Sequence, residues 1–170
     1  VDIHTHYDGQ VTWDPYLRPS TYHGVTTVVM GNCGVGFSPC KPDQRDWLIG
    51  LMEGVEDIPG TALHEGIDWE WESFPEYLDA LEKKPLAIDV GTQIPHGAVR
   101  AYVMGERGIN HEEASEDEIN KMKEIVREAV EAGAYGFSTS RTEKHNDVNG
   151  KLTPSITAHK TELVEIAKSL

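Results

Sequence analysis

The sequence predicts an α/β fold of parallel strands linked by helices. Three observations carry this. Val25-Thr26-Thr27-Val28-Val29-Met30 is β-branched and almost continuously apolar, the composition of a parallel strand covered on both faces. Strand-like and helix-like segments then alternate four times along the chain, which implies right-handed helical crossovers between parallel strands. Finally, the residues best suited to chemistry follow strand-like runs: His4 and His6 end the first, and Cys33 follows the second. In barrels and open sheets of this class, active sites form at the carboxyl ends of strands.

The first strand runs through Val1-Asp2-Ile3 into His4-Thr5-His6. Residues i and i+2 of a strand share a face, so the two imidazoles can close on one cation. Two surface histidines at a strand end would look the same. Tyr7-Asp8-Gly9-Gln10 is a loop, the segment Trp13 to Pro19 is too proline-rich for a regular helix, and Ser20 to Gly24 is a turn ended by glycine. The second strand, Val25 to Met30, runs into Gly31-Asn32-Cys33-Gly34-Val35-Gly36, whose glycines allow a sharp turn and a close backbone approach.

Pro42 to Val55 reads as a helix with Trp47, Leu48, Leu51 and Met52 on one stripe, broken by Ile58-Pro59-Gly60. Ser73 and Glu76 form a capping box for a helix from Phe74 to Lys83, which Pro85 stops. Trp69 and Trp71 read as packing residues. Leu86 to Gly91 is the third strand, followed by His96, and Val99 to Met104 fits either a short helix or a strand. Ser115 and Glu118 make a second capping box; Ile119, Met122, Val126 and Val130 supply the stripe and Gly133 the end. Ala134 to Ser140 is the fourth strand, Arg141 to Asn149 a polar loop carrying His145, and Thr157 opens a last helix through Leu163, Val164 and Ile166.

Composition narrows the function classes. A formal charge of −14 and a pI near 4.9 oppose a nucleic-acid or anionic-membrane partner, because both require clustered Lys and Arg. No apolar run approaches the roughly 18 residues of a membrane span. Two cysteines, Cys33 and Cys40, make no disulfide framework and read as thiols of a reducing, cytoplasmic compartment. The chain lacks an initiator Met and ends within a helical pattern, so it reads as a piece of a longer protein.

Two imidazoles and a thiolate suit zinc in softness and geometry, although Cys33 would equally be a buried structural thiol. Asp8 is a candidate to orient a ligand or receive a substrate amine, or is simply solvated. His96 is a candidate pocket residue beyond the third strand. His23, His64, His111, His145 and His159 read as helix-end, loop or surface groups, and Ser138 and Ser140 lack the G-x-S-x-G elbow of a serine nucleophile.

The segments V-D-I-H-T-H-Y-D, H-G-V-T-T-V-V-M-G-N-C-G-V-G, W-E-W-E-S-F-P-E-Y-L-D-A-L, H-G-A-V-R-A-Y-V-M-G and G-A-Y-G-F-S-T-S-R together resemble the N-terminal half of the metal-dependent barrel of D-aminoacylases, the N-acyl-D-amino-acid deacylases of the amidohydrolase superfamily. The resemblance covers essentially the whole chain, and G-N-C-G is its most specific element. It implies that residues 1–170 are a single partial (β/α) barrel, roughly units 1 to 4 of eight, with no second domain. It also implies that His4, His6 and Cys33 are metal ligands, that zinc is the cofactor, and that further ligands and an aspartate acting as general base lie downstream. Hydantoinases and dihydroorotases share the His pair but carry a carboxylated lysine on the fourth strand, and Ala134 to Ser140 contains none. The implied activity is hydrolysis of the amide of small N-acyl-D-amino acids; a cyclic-amide hydrolase and a non-catalytic half-barrel are the alternatives. Open strand edges left by half a barrel further predict a homo-oligomer.

Overall fold

A computed structural model describes all residues, 1–170, and its elements follow the expected strand–helix order. The strands are β1 (Thr27–Met30), β2 (Asp89–Thr92), β3 (Ile94–Pro95) and β4 (Phe137–Ser138). The helices are α1 (Arg45–Glu56), α2 (Gly60–Gly66), α3 (Phe74–Glu82), α4 (His96–Met104), α5 (Glu106–Ile109), α6 (Glu116–Ala132) and α7 (Lys160–Ala167). All pairings between named strands are parallel: Thr27 to Met30 face Asp89 to Thr92, and Ile94 and Pro95 face Phe137 and Ser138.

The first strand is shorter than its sequence suggests. It survives as a parallel bridge between Asp2 and Val28, extended by hydrogen bonds from Asp2 N to Thr27 O, Val29 N to Asp2 O and Thr5 N to Val29 O. Val1 and Ile3 remain exposed. The third strand starts three residues late because the Ala87 N–H is taken by Pro15 O and Leu86 N by Lys84 O, which holds this stretch in a turn outside the ladder. β4 is likewise only two residues long, with Tyr135 N bonded to Thr92 O and Ile94 N to Gly136 O on its approach.

Both capping boxes form. Ser73 and Glu76 exchange side-chain to backbone bonds at the start of α3, and Ser115 and Glu118 do so at the start of α6. The first helix opens as a 3₁₀ turn, Pro42–Gln44, before α1. The ambiguous segment is helical from His96 onward, earlier than Val99. α2 has no counterpart in the expected order, since Leu63 is its only large buried apolar residue and no stripe marks it. The last helix begins at Lys160, and the His159 ring, expected at the surface, accepts from Thr161 N as its cap.

Helices α1, α3, α4 and α6 turn Leu48, Leu51, Met52, Phe74, Tyr77, Val99, Met122 and Val126 into one apolar core with Val28 and Met30. Burial of each such side chain contributes about 1.5–3 kcal/mol. Trp71 packs on Tyr77, its ring centroid 4.8 Å away, and donates from Nε1 to Phe37 O, as its reading as a packing residue requires. No helix is long and apolar enough to cross a membrane.

Candidate metal centre

Thr5 fixes the orientation of its two neighbours. Both its backbone N–H and its hydroxyl donate to Val29 O, pinning the chain so that His4 and His6 leave on the side opposite Thr5. Their ring centroids are 5.4 Å apart.

The turn after β1 brings in the thiol, and each residue of Gly31-Asn32-Cys33-Gly34 has a separate task. A Cβ on Gly31 would lie 2.0 Å from Gln93 O, so only glycine lets the turn cross the end of β2. The Asn32 amide donates to Thr5 O and Val29 O and accepts from Gln93 Nε2, joining three neighbouring segments. Cys33 takes a left-handed conformation, φ 55°, which for a non-glycine residue costs of order 1–3 kcal/mol and persists only where its surroundings enforce it. Gly34 N donates to Ser138 Oγ, which itself donates to Gly31 O; Ser138 is thus a brace for the turn.

Together these constraints place Cys33 Sγ 3.3 Å from His4 Nε2, and one ligand atom from each of His4, His6 and Cys33 within 4.8 Å of the others. His4 is exposed and the other two are half-buried. An open hollow of about 360 Å³ adjoins them, lined by Asp2, Thr5, Tyr7 and Gln10 among others. A hollow of about 370 Å³ alongside β2, beside Leu81, Val90 and Tyr135, holds no imidazole or thiol and offers no comparable chemistry.

Two carboxylates border the cluster. Glu56, at the end of α1, lies 3.2 Å from His6 Nε2, while His6 Nδ1 is buried with no partner. Burial and the neighbouring His4 and His145 push the His6 imidazole down to about 4. Burial also pushes Glu56 up to about 7 and, with Glu56 in reach, Asp8 up to about 7. Asp8 is buried and its Oδ2 has no partner. Burial and then the charges of Glu56 and Asp8 raise the Cys33 thiol. Two imidazoles and a thiol with ligand atoms within 4.8 Å of one another, and a His6 Nδ1 left buried without a partner, match the donor types of a zinc site. The residues therefore fit such an ion.

His96 keeps other company. It is fully buried, with Nδ1 2.9 Å from Thr139 Oγ1 and Nε2 2.7 Å from Glu162 Oε1, so both ring nitrogens are occupied away from the cluster. Cys40 is buried, and its thiol is pushed up to about 12, chiefly by burial.

A model described as the amidohydrolase family matches residues 1–167. The chain belongs to the amidohydrolase family. Among curated relatives, the D-aminoacylase of Alcaligenes xylosoxydans xylosoxydans is 31% identical over 170 residues, 100% of this chain and 30% of its own length. The N-acyl-D-aspartate deacylase of the same organism is 32% identical over 82% of this chain and 25% of its own. A D-aminoacylase crystal structure superposes with a TM-score of 0.74 at 30% identity, covering 99% of this chain and 31% of that one. The N-acyl-D-glutamate deacylase of Bordetella bronchiseptica, complexed with zinc and a phosphonate inhibitor, gives 0.74 at 28%, with 99% and 30% covered. Another matching D-aminoacylase structure concerns a binuclear metal centre. This amidohydrolase chain thus spans less than a third of the length of these relatives.

Sequence reasoning missed Glu56 and His145. Glu56 stands at a helix end with no local motif. His145 read as a plain loop residue, yet it acts electrostatically on His6 and feels His4 in turn.

Proposed function

We propose that this chain supplies His4, His6 and Cys33 to the metal centre of a zinc-dependent hydrolase that cleaves the amide bond of N-acyl-D-amino acids, releasing a carboxylate and a free D-amino acid. The observation that carries the reading is the convergence of the three donors within 4.8 Å at strand ends, with a braced turn holding the thiol. Deacylase relatives over most of the chain support it. When bound, zinc supplies Lewis acidity toward an amide carbonyl and toward water.

The chain's own residues set the stage for that chemistry. Glu56 beside Nε2 orients the His6 ring, as carboxylates do for histidines that bind metals. Asn32 and Ser138 keep Cys33 at its distance from His4. Asp8, raised by burial, holds a proton into the neutral range. A general base from elsewhere in the protein completes the reading.

Metal analysis of the enzyme, followed by assays on N-acetyl-D-amino acids, their L isomers, hydantoin and dihydroorotate, tests it. Zinc-dependent turnover preferring the D-amides is expected. Comparable or faster turnover of the cyclic amides would overturn the deacylase reading.

A further inference from the structure

The polar loop between β4 and α7 is docked onto the site by close backbone packing. A Cβ on Gly54 of α1 would lie 2.3 Å from the backbone of Asp147 and 2.4 Å from Asn146 O, contacts that no side chain permits. Val148 N donates to Gly50 O of the same helix, one turn away. The helix that carries Glu56 to His6 therefore also seats residues 146–148. From the other side, Ser140 follows β4 against the Cys33 turn: a Cβ on Gly34 would be 3.0 Å from Thr139 Cα and 3.1 Å from Ser140 N. His145 is suspended between these two anchors, with its carbonyl accepting from Thr153 N.

Its side chain is set with equal care. Ser140 Oγ lies 2.8 Å from His145 Nδ1 and has no other side-chain partner, so Nδ1 is occupied and Nε2 is the nitrogen left to meet a ligand. No protein group engages Nε2. Burial and the nearby His4 lower the imidazole's pKa, keeping it neutral at physiological pH. The neighbouring cation, Arg141, is spent on Ser155 O and Ala158 O.

We infer that Ser140 donates to His145 Nδ1, leaving the ring proton on Nε2, and that His145 is a substrate-contacting residue that donates from Nε2 to the carboxylate of the N-acyl amino acid. The inference rests on the deacylase reading above. An anionic substrate beside Asp8 and Glu56 needs a hydrogen-bond donor, and His145 is a half-buried imidazole held near the cluster between the Cys33 turn and α1. It stands outside the 4.8 Å group of donor atoms, so it is not assigned to the metal.

The test compares wild-type, His145→Leu and His145→Gln forms of the full-length zinc-loaded enzyme, on an N-acetyl-D-amino acid and on the corresponding N-acetyl-D-amino acid amide, which lacks the carboxylate. For the leucine variant we expect a fall in kcat/KM of about tenfold or more on the acid, carried mainly by KM, as for a lost hydrogen bond to a charged group. A clearly smaller fall is expected on the amide. Glutamine, which keeps a donor, should recover much of the loss. Zinc content and thermal midpoint should be unchanged in both variants. An equal fall on acid and amide, no fall on either, or loss of zinc from the leucine variant would each overturn the inference while leaving the deacylase reading intact. Absence of wild-type turnover would overturn that reading, and this inference with it.

Discussion

Two histidine–carboxylate pairs in this molecule have opposite characters. His96 and Glu162 are 2.7 Å apart and almost wholly buried, and Arg100 Nη1 binds the other oxygen of Glu162 at 2.5 Å. His6 and Glu56 are 3.2 Å apart with side chains 14% and 21% exposed, and no cation stands with them. The consequences follow from that one missing charge. Burial alone would raise Glu162, but hydrogen bonding by His96 and the Arg100 charge hold it below the usual carboxylate range. Nothing offsets burial at Glu56, which rises to about 7. In the first pair both oxygens of Glu162 and both ring nitrogens of His96 are partnered, with only Arg100 Nε left without one, and the pair ties α4 to α7. In the second, His6 Nδ1 and Asp8 Oδ2 lack partners and the thiol is raised, the difference from a strut that the proposed cation site requires.

The comparison breaks most visibly at Glu162. Glu162→Ala leaves Arg100 and His96 buried without their counter-charge and should destabilise the enzyme by about 3–5 kcal/mol, measured by urea unfolding. A loss below about 1 kcal/mol would mean that the strut relaxes, and the contrast with the cluster would fail. Zinc content of the folded fraction should not change.

Cys33→Ala should do the reverse. Loss of a direct thiolate donor should weaken zinc binding by more than about 100-fold, the upper range for loss of a mere supporting partner. Stability of the metal-free protein should fall by no more than about 1 kcal/mol, since the half-buried thiol packs as a small hydrophobe and the left-handed backbone at residue 33 persists. Competition with a chromophoric chelator reads the affinity; an unchanged value would remove Cys33 from the site. Glu56→Gln is the milder version. The ring of His6 keeps a hydrogen-bonding neighbour but loses the carboxylate, and affinity should drop about tenfold.

The strut and the cluster are unequally legible in the sequence. Ser73 with Glu76 and Ser115 with Glu118 announced two helix starts because a capping box is chemistry within four residues. His4 and His6 were readable from strand parity, and Cys33 from glycines crowding one thiol. The strut is not readable, because Arg100 and Glu162 meet across 62 residues; an arginine among the small and apolar residues that follow His96 in α4 is the available hint. His145 reaches the site only through tertiary contact. Gly50 and Gly54, spaced one turn apart inside a helix where glycine costs about 1 kcal/mol, were its sole sequence trace. The third strand was misplaced by three residues because Leu86 and Ile88 look like strand yet pack from a turn, where Pro15 takes the Ala87 N–H.

The sharpest test of the comparison is the direction in which pH acts on each region in the metal-free protein. Glu162 has a folded pKa below its ordinary 4.5, so its contribution is present above that value and is lost as pH falls through the folded pKa. His96 is held by burial below its ordinary 6.5; the unfolded chain takes up a proton first as pH drops below 6.5, and stability falls in the same direction. The strut therefore weakens toward acid. Asp8 runs the other way: raised from 3.8 to about 7, it retains a proton in the folded state that the unfolded chain has lost, so stability declines as pH rises from about 4 to 7, by at most about 1.4 kcal/mol per pH unit. Asp8→Asn, neutral at every pH, should reduce that decline, the remainder belonging to Glu56, which is raised from 4.5 to about 7, and Glu162→Gln should reduce the acid limb, to which the lowered His96 and His6 also contribute. Urea titrations of the metal-free proteins between pH 4 and 8 measure both slopes. If Asp8→Asn follows the wild-type curve between pH 5 and 7, the Asp8 carboxyl is already paired in the folded protein, and the cluster is a second strut rather than an open site.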